Sequence, residues 1–176
     1  VLYKINAKRL IKRSVFIDEK GAAQLTGRIR GCLKSNGICV VACAGSPGSG
    51  KSTLARLVKE KGFLSIPKEQ LFVVDDLKGP GKQRYRRKDL PELINNLNDK
   101  VLLLFDYRAA LYLKKADIGI IGIVNEEDRL NYLKNRSSWA YKKYKSRYYS
   151  VPPVPFTFKN DDIYTYWGYD LGIFDI

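Results

Sequence analysis

Histidine is absent from this chain of 176 residues, so any general base has to be a carboxylate, a lysine, a tyrosine or a bound water. Cysteine is scarce. Cys32, Cys39 and Cys43 are odd in number and form, by spacing, neither a Cys-x-x-Cys pair nor a metal-ligand cluster, which excludes a disulfide framework and predicts three small buried apolar residues. No apolar run approaches the ~20 residues that span a bilayer. The basic segment with Lys4, Lys8, Arg9, Lys12 and Arg13 lacks the apolar region of a secretory signal. The expectation is therefore a cytoplasmic protein with no membrane partner. Acidic residues are also in short supply, 18 against 32 lysines and arginines, and the formal charge of +14 predicts a surface that attracts polyanions. Nucleic acid is one candidate partner on that ground, and a small anionic substrate is another. An apolar fraction of 45% suffices for one domain over residues 1–176 with a sizeable core, and leaves no room for a second. No internal repeat or low-complexity tract interrupts it.

Along the chain, residues 1–17 mix cations with apolar positions and suit either a strand or a short helix. From Asp18, a plausible N-cap, the spacing of Ala22, Leu25, Ile29, Cys32 and Leu33 predicts a helix that ends near Gly37. Ile38 to Ala44 is a short run apolar on both alternating faces, as in a central parallel strand. A helix is predicted from Ser52 to Glu60 and stops at Gly62. Strands follow at Leu71–Val74, Val101–Phe105 and Ile118–Val124, with helices from Pro91 to Leu97 and from Ala109 to Lys115 between them. Alternation of this kind predicts an α/β protein with a doubly wound parallel sheet. The charged stretch from Glu126 to Arg147 reads as helical until Pro152, Pro153 and Pro155 end it, and the aromatic-polar alternation from Phe156 to Trp167 reads as an added strand or a packing arm.

The most informative segment is Gly45-Ser46-Pro47-Gly48-Ser49-Gly50-Lys51-Ser52, a full match to the phosphate-loop pattern G-x-x-x-x-G-K-[ST] between a predicted strand and a predicted helix. Its glycines let the backbone approach a phosphate chain, and the helix that follows aims its unpaired N–H groups and positive dipole end at the anion. Lys51 is the candidate to reach the β- and γ-phosphates of ATP, and the Ser52 hydroxyl the candidate to ligate Mg²⁺. The expected fold is therefore the three-layer type of P-loop nucleoside triphosphatases.

In an open α/β sheet the ligand crevice lies outside the carboxyl ends of the strands, which selects Asp75, Asp76 and Asp106 as the carboxylates to watch. Asp75 is a candidate to orient or deprotonate an attacking hydroxyl, and Asp106 to hold a Mg²⁺-linked water or a substrate hydroxyl. Arg129, Lys134 and Arg136 follow the fourth predicted strand, where a lid would spread cationic charge over a transferring phosphoryl group. Arg84, Arg86, Arg87 and Lys88, around Tyr85, make a basic loop that suits an anionic acceptor and equally suits a solvated surface.

This layout resembles the uridine kinase and phosphoribulokinase group of P-loop small-molecule kinases over residues 38–136. The likeness rests on the loop from Ala44 through Thr53, on Val73-Val74-Asp75-Asp76, on Val101 to Asp106 followed by Ala109-Ala110-Leu111, and on Asn125-Glu126-Glu127-Asp128-Arg129-Leu130 continuing to Arg136. It implies ATP and Mg²⁺ as cofactors, with Gly45 through Thr53 and Arg136 around the nucleotide and Ser52, Asp75 and Asp106 around the metal. It also implies that Lys51, Asp75, Asp106 and Arg129 serve the transfer of a phosphoryl group to a hydroxyl of a nucleoside, sugar or phosphosugar. Asp106-Tyr107 stands where that group carries Glu-Gly, so ATP binding follows from the resemblance more directly than any one acceptor. Two other readings stay open: a polynucleotide or nucleotide kinase, suited to the charge and the many tyrosines, and a nucleotide-dependent switch ATPase. No N-K-x-D motif for guanine is present, and the sequence specifies no oligomeric state.

Overall fold

The computed structural model describes residues 13–109, 113, 116–146 and 162–174. Its elements are β1 (Val15–Phe16), α1 (Glu19–Asn36), β2 (Ile38–Gly45), α2 (Lys51–Lys61), β3 (Leu71–Asp75), α3 (Leu90–Asn96), β4 (Lys100–Phe105), β5 (Ile118–Ile123), α4 (Glu126–Arg136), α5 (Ser138–Tyr144) and β6 (Ile163–Trp167). The six strands form one sheet in the order β1-β6-β5-β2-β4-β3, and every pairing is parallel.

The period of two along β2 explains the layering. Cys39, Val41 and Cys43 point to one face, where they meet Leu25 and Ile29 of α1 and Leu54 and Val58 of α2. Val40 and Ala42 point to the other, where Leu90 of α3 and Leu113 cover them. Both faces are thus apolar and both are covered, which is why the parallel strands read as continuous hydrophobic runs. The protein is an α/β structure with helices on both faces of a parallel sheet, as the sequence predicts.

Local signals set the helix ends. The Asp18 carboxylate accepts the Gly21 amide at 2.8 Å to start α1, and Gly37, at φ 70, closes it in a left-handed turn that returns its own amide to Leu33. The charged stretch after β5 is two helices rather than one. Ser137 breaks it with an extended backbone at φ −175, and its hydroxyl accepts the Ala140 amide to start α5. The tail does supply a strand, but β6 is no peripheral arm, for it lies inside the sheet between β5 and β1 with Ile163, Tyr164, Thr165 and Tyr166 buried. Of the first 17 residues, only Val15–Phe16 form a described strand, and the helix expected at Ala109–Lys115 lies mostly outside the described residues. Among the described residues, no helix is long and apolar enough to cross a membrane.

From β2 the chain runs first to β3 and β4 on one side and then to β5 and β6 on the other. The strand order therefore reverses at β2, and a crevice opens at its carboxyl end.

Candidate functional site

The glycine-rich loop fills that switch point. It leaves β2 at Gly45, turns where the Ser49 amide bonds back to Ser46 at 3.0 Å, and enters α2 at Lys51. Gly48 and Gly50 sit at φ 87 and 81, and a Cβ at Gly50 would stand 2.3 Å from the Gly168 carbonyl oxygen, so position 50 accepts glycine alone. The start of α2 differs from those of α1, α4 and α5, and shares with the short α3 the lack of a side-chain cap. Asp18, Asn125 and Ser137 cap α1, α4 and α5 with side-chain acceptors, whereas α2 has no side-chain cap and no acidic residue in its first turn. Its first amides keep their partial positive charge for something outside the helix.

Lys51 curls back so that its ammonium donates to the carbonyls of Gly45 at 2.8 Å and Ser46 at 3.0 Å. Burial pushes its pKa down to about 8, against the pull of Asp106, Asp75 and Asp76. The Ser52 hydroxyl donates to Asp75 Oδ1 at 3.3 Å. Burial raises the Asp75 carboxyl above the usual range, and the Ser52 hydrogen bond works in the opposite direction. Asp76 takes a left-handed backbone at φ 51 while its amide bonds to the Phe105 carbonyl, and the Asp106 amide bonds to the Cys43 carbonyl at 3.1 Å. These two backbone bonds fasten Asp76 and Asp106 to neighbouring strand ends, and Asp75 is itself the last residue of β3.

An open cleft of about 640 Å³ joins these groups. Of the residues singled out in the sequence, the structure brings Pro47, Gly48, Gly50, Lys51, Ser52, Asp75, Asp76, Asp106 and Arg136 together there, and it adds Arg108, Phe105 and the rings of Tyr107, Tyr132 and Tyr144. Gly45, Ser46 and Ser49 are buried beneath the loop, where the Ser49 hydroxyl has no hydrogen-bond partner. Thr53 faces a separate shallow pocket with Arg56, Leu57 and Leu171.

Arg129 departs from its expected place on an open lid. Its side chain is wholly buried, bound in a fork to both carboxylate oxygens of Glu126 at 2.8 Å, and it donates to the carbonyls of Pro47 at 3.3 Å and of Tyr144 and Lys145 at 2.9 Å. The reason lies in the chain path. The break at Ser137 folds α5 back over the first turn of α4, and a guanidinium enclosed there needs every donor paired. Arg129 ties the glycine-rich loop to the α4–α5 pair and does not line the cleft. The basic loop is likewise elsewhere: Arg84, Arg86, Arg87 and Lys88 do not line the cleft, and Arg86 pairs at the surface with Asp89. Lys134 lies over the Tyr141 ring at 5.3 Å, outside the cleft.

Two features escaped sequence reading. After β6, Tyr169 donates its hydroxyl to the Gly48 carbonyl and packs its ring 5.7 Å from that of Tyr132, so the tail braces the loop. At the opposite end of β2, the thiols of Cys32 and Cys39 and the Asp117 carboxylate gather within 4.8 Å of one another, although their spacing reads as no cluster. Burial holds both thiols above the usual thiol range, so they stay protonated. In the first case the signal available was Gly168-Tyr169 behind an aromatic strand; in the second, proximity exists only once α1, β2 and β5 are packed. No protein-family model, no curated protein and no solved structure matches this chain.

Proposed function

We propose that this protein is a phosphotransferase of the P-loop type that binds ATP with Mg²⁺ and moves the γ-phosphoryl group to an acceptor hydroxyl. The observation that carries the reading is the uncapped start of α2 opening, with Lys51, into the same cleft as Asp75, Asp76 and Asp106. The residues suit the cofactors. An uncapped helix start and a desolvated lysine suit a phosphate chain, and the oxygen donors of Ser52 and Asp106 beside Asp75 suit a hard divalent cation.

Bound ATP supplies the transferable phosphoryl group, and its metal ion offsets the charge. The chain's own residues do the rest. Lys51 exchanges the Gly45 and Ser46 carbonyls for phosphate oxygens, a shorter path than bringing in a solvated side chain. Ser52 and Asp106 would hold the metal ion that accompanies ATP. Asp75, whose carboxyl is raised by burial, orients the acceptor hydroxyl and takes its proton, one of the groups that can serve as base in a chain without histidine. Arg136 and Arg108 line the cleft where charge has to be spread. Arg129 contributes by position, since it fixes Pro47 from behind.

The test is a transfer assay with γ-labelled ATP and Mg²⁺ over pools of nucleosides, sugars, phosphosugars and 5′-hydroxyl oligonucleotides. Label is expected on one pool and is expected to vanish with Lys51→Ala. Unchanged turnover in a folded Lys51→Ala protein sinks the mechanism, and label found only as free phosphate moves the switch-ATPase reading ahead.

A further inference from the structure

The surface of α5 carries a cluster that the phosphate chemistry leaves without a task. Trp139 is 61% exposed, more than any other large apolar side chain among the described residues. Its indole does not stand alone. The Tyr144 ring meets it edge-on at 6.1 Å, and the Lys143 ammonium lies 4.5 Å from the Trp139 centroid and 5.2 Å from that of Tyr144. A second set adjoins it, with Tyr141 flanked by the ammonium groups of Lys134 at 5.3 Å and Lys145 at 5.8 Å. Lys134, Arg136, Lys142, Lys143 and Lys145 fall within this stretch, and no acidic residue interrupts it.

Tyr144 belongs to two neighbourhoods at once. It packs with Trp139 on the outer surface and lines the cleft with Tyr132 and Arg136. Tyr144 therefore links the aromatic-cationic surface to the cleft where Lys51, Asp75 and Asp106 meet. Rings alternating with ammonium groups match a ligand that alternates flat bases with phosphates. An acidic peptide would engage the cations and leave the rings unused. A lipid surface would need a continuous apolar stripe, whereas along α5 the rings of Trp139, Tyr141 and Tyr144 are interleaved with Lys142 and Lys143.

We infer that this surface binds single-stranded nucleic acid and leads one end of the strand into the cleft as the phosphoryl acceptor. Trp139 and Tyr144 stack on bases, and Lys134, Lys142 and Lys143 take the phosphates. Binding of the strand stands by itself, while its role as acceptor rests on the phosphotransferase reading. In that step the terminal hydroxyl oxygen bonds to the γ-phosphorus. The bond from that phosphorus to the β,γ-bridging oxygen breaks, its electron pair leaves with ADP, and the hydroxyl proton passes to Asp75.

The experiment uses the full chain and a 12-nucleotide oligothymidylate with a free 5′-hydroxyl and a 3′ fluorophore, read by anisotropy and by quenching of tryptophan fluorescence. Affinity is expected to fall with salt by about 0.7 log unit per log unit of salt for each phosphate neutralised. Trp139→Ala is expected to weaken binding by about 5- to 150-fold, the factor that stacking of one base is worth, without moving the melting temperature. Lys51→Ala is expected to bind the strand unchanged while ATP binding is lost, and γ-label is expected on the 5′ end with the intact protein.

No binding at micromolar protein, an unchanged affinity in Trp139→Ala, equal binding of a blunt duplex, or equal binding of polyglutamate each overturns the inference. A strand that binds beside bound ATP yet gains no label overturns the acceptor assignment alone. A strand that binds where ATP does not leaves the nucleic-acid surface standing and ends the phosphotransferase reading.

Discussion

Replacing Arg129 by methionine tests whether a buried cation holds the site together or acts on the phosphoryl group. The substitution keeps the volume of the stem and deletes a guanidinium that joins Glu126 to the carbonyls of Pro47, Tyr144 and Lys145. Removing one partner of a buried ion pair costs ~3–5 kcal/mol. Here the Glu126 side chain is 40% exposed and rehydrates, which places the loss at the lower end, about 3 kcal/mol. For a chain of this length that lowers the melting temperature by roughly 6–12 °C. Arg129→Lys is expected to fall nearly as far, since one ammonium cannot reach a forked carboxylate and three carbonyls together. Circular dichroism melts of the two variants read the effect directly. If both melt within 2 °C of the parent, on the order of the scatter of such melts, the tie is not holding α4 against α5. If Arg129→Met also keeps its melt and loses turnover a hundredfold or more, Arg129 belongs to the transfer step after all.

Gly50→Ala sets a Cβ against the Gly168 carbonyl in a backbone at φ 81, and is expected to cost about 2–4 kcal/mol in urea unfolding. Leu103→Ala, wholly buried between the sheet and its helices, is expected to cost ~2–5 kcal/mol in the same assay. Tyr169→Phe removes the hydroxyl that braces Gly48, and should lower ATP affinity by a few-fold, about 1 kcal/mol by calorimetry. In the free protein Lys51 gives up its proton near pH 8, below its usual range, whereas a bound phosphate chain favours the charged form. ATP affinity is therefore expected to hold up to about pH 8 and to fall by up to tenfold per pH unit above it, a dependence that Lys51→Arg, whose guanidinium stays charged throughout, is expected to lose.

The central strands were legible because Cys39 to Ala44 and Val101 to Phe105 are apolar on both faces, a pattern that only a covered parallel sheet satisfies. Lys51, Ser52, Asp75 and Asp106 were legible because strand ends and a helix start fix their positions locally. Arg129 was not, because a sequence of charges reads the same whether it faces water or another helix. Its burial depends on Ser137 turning α5 back, a single residue within an otherwise helical pattern. The tail was half legible. The alternation from Tyr164 to Trp167 signals a strand with one wet face, but Thr165 is buried and shares its hydroxyl with Ser14 across to β1, so a polar residue stands where the sheet interior begins.

The position of β6 has a consequence for how the protein is made. The strand pairs Tyr164 with Val15, and the turn after it reaches back 121 residues to brace Gly48. A ribosome adding 5–20 residues per second exposes the glycine-rich loop roughly 6–24 s before its brace exists. During that interval the loop lacks the contact that seats Gly50 against Gly168, and β5, once made, is an open sheet edge until β6 pairs with it. The nascent chain thus holds Lys51 before it holds the brace that shapes the loop around it.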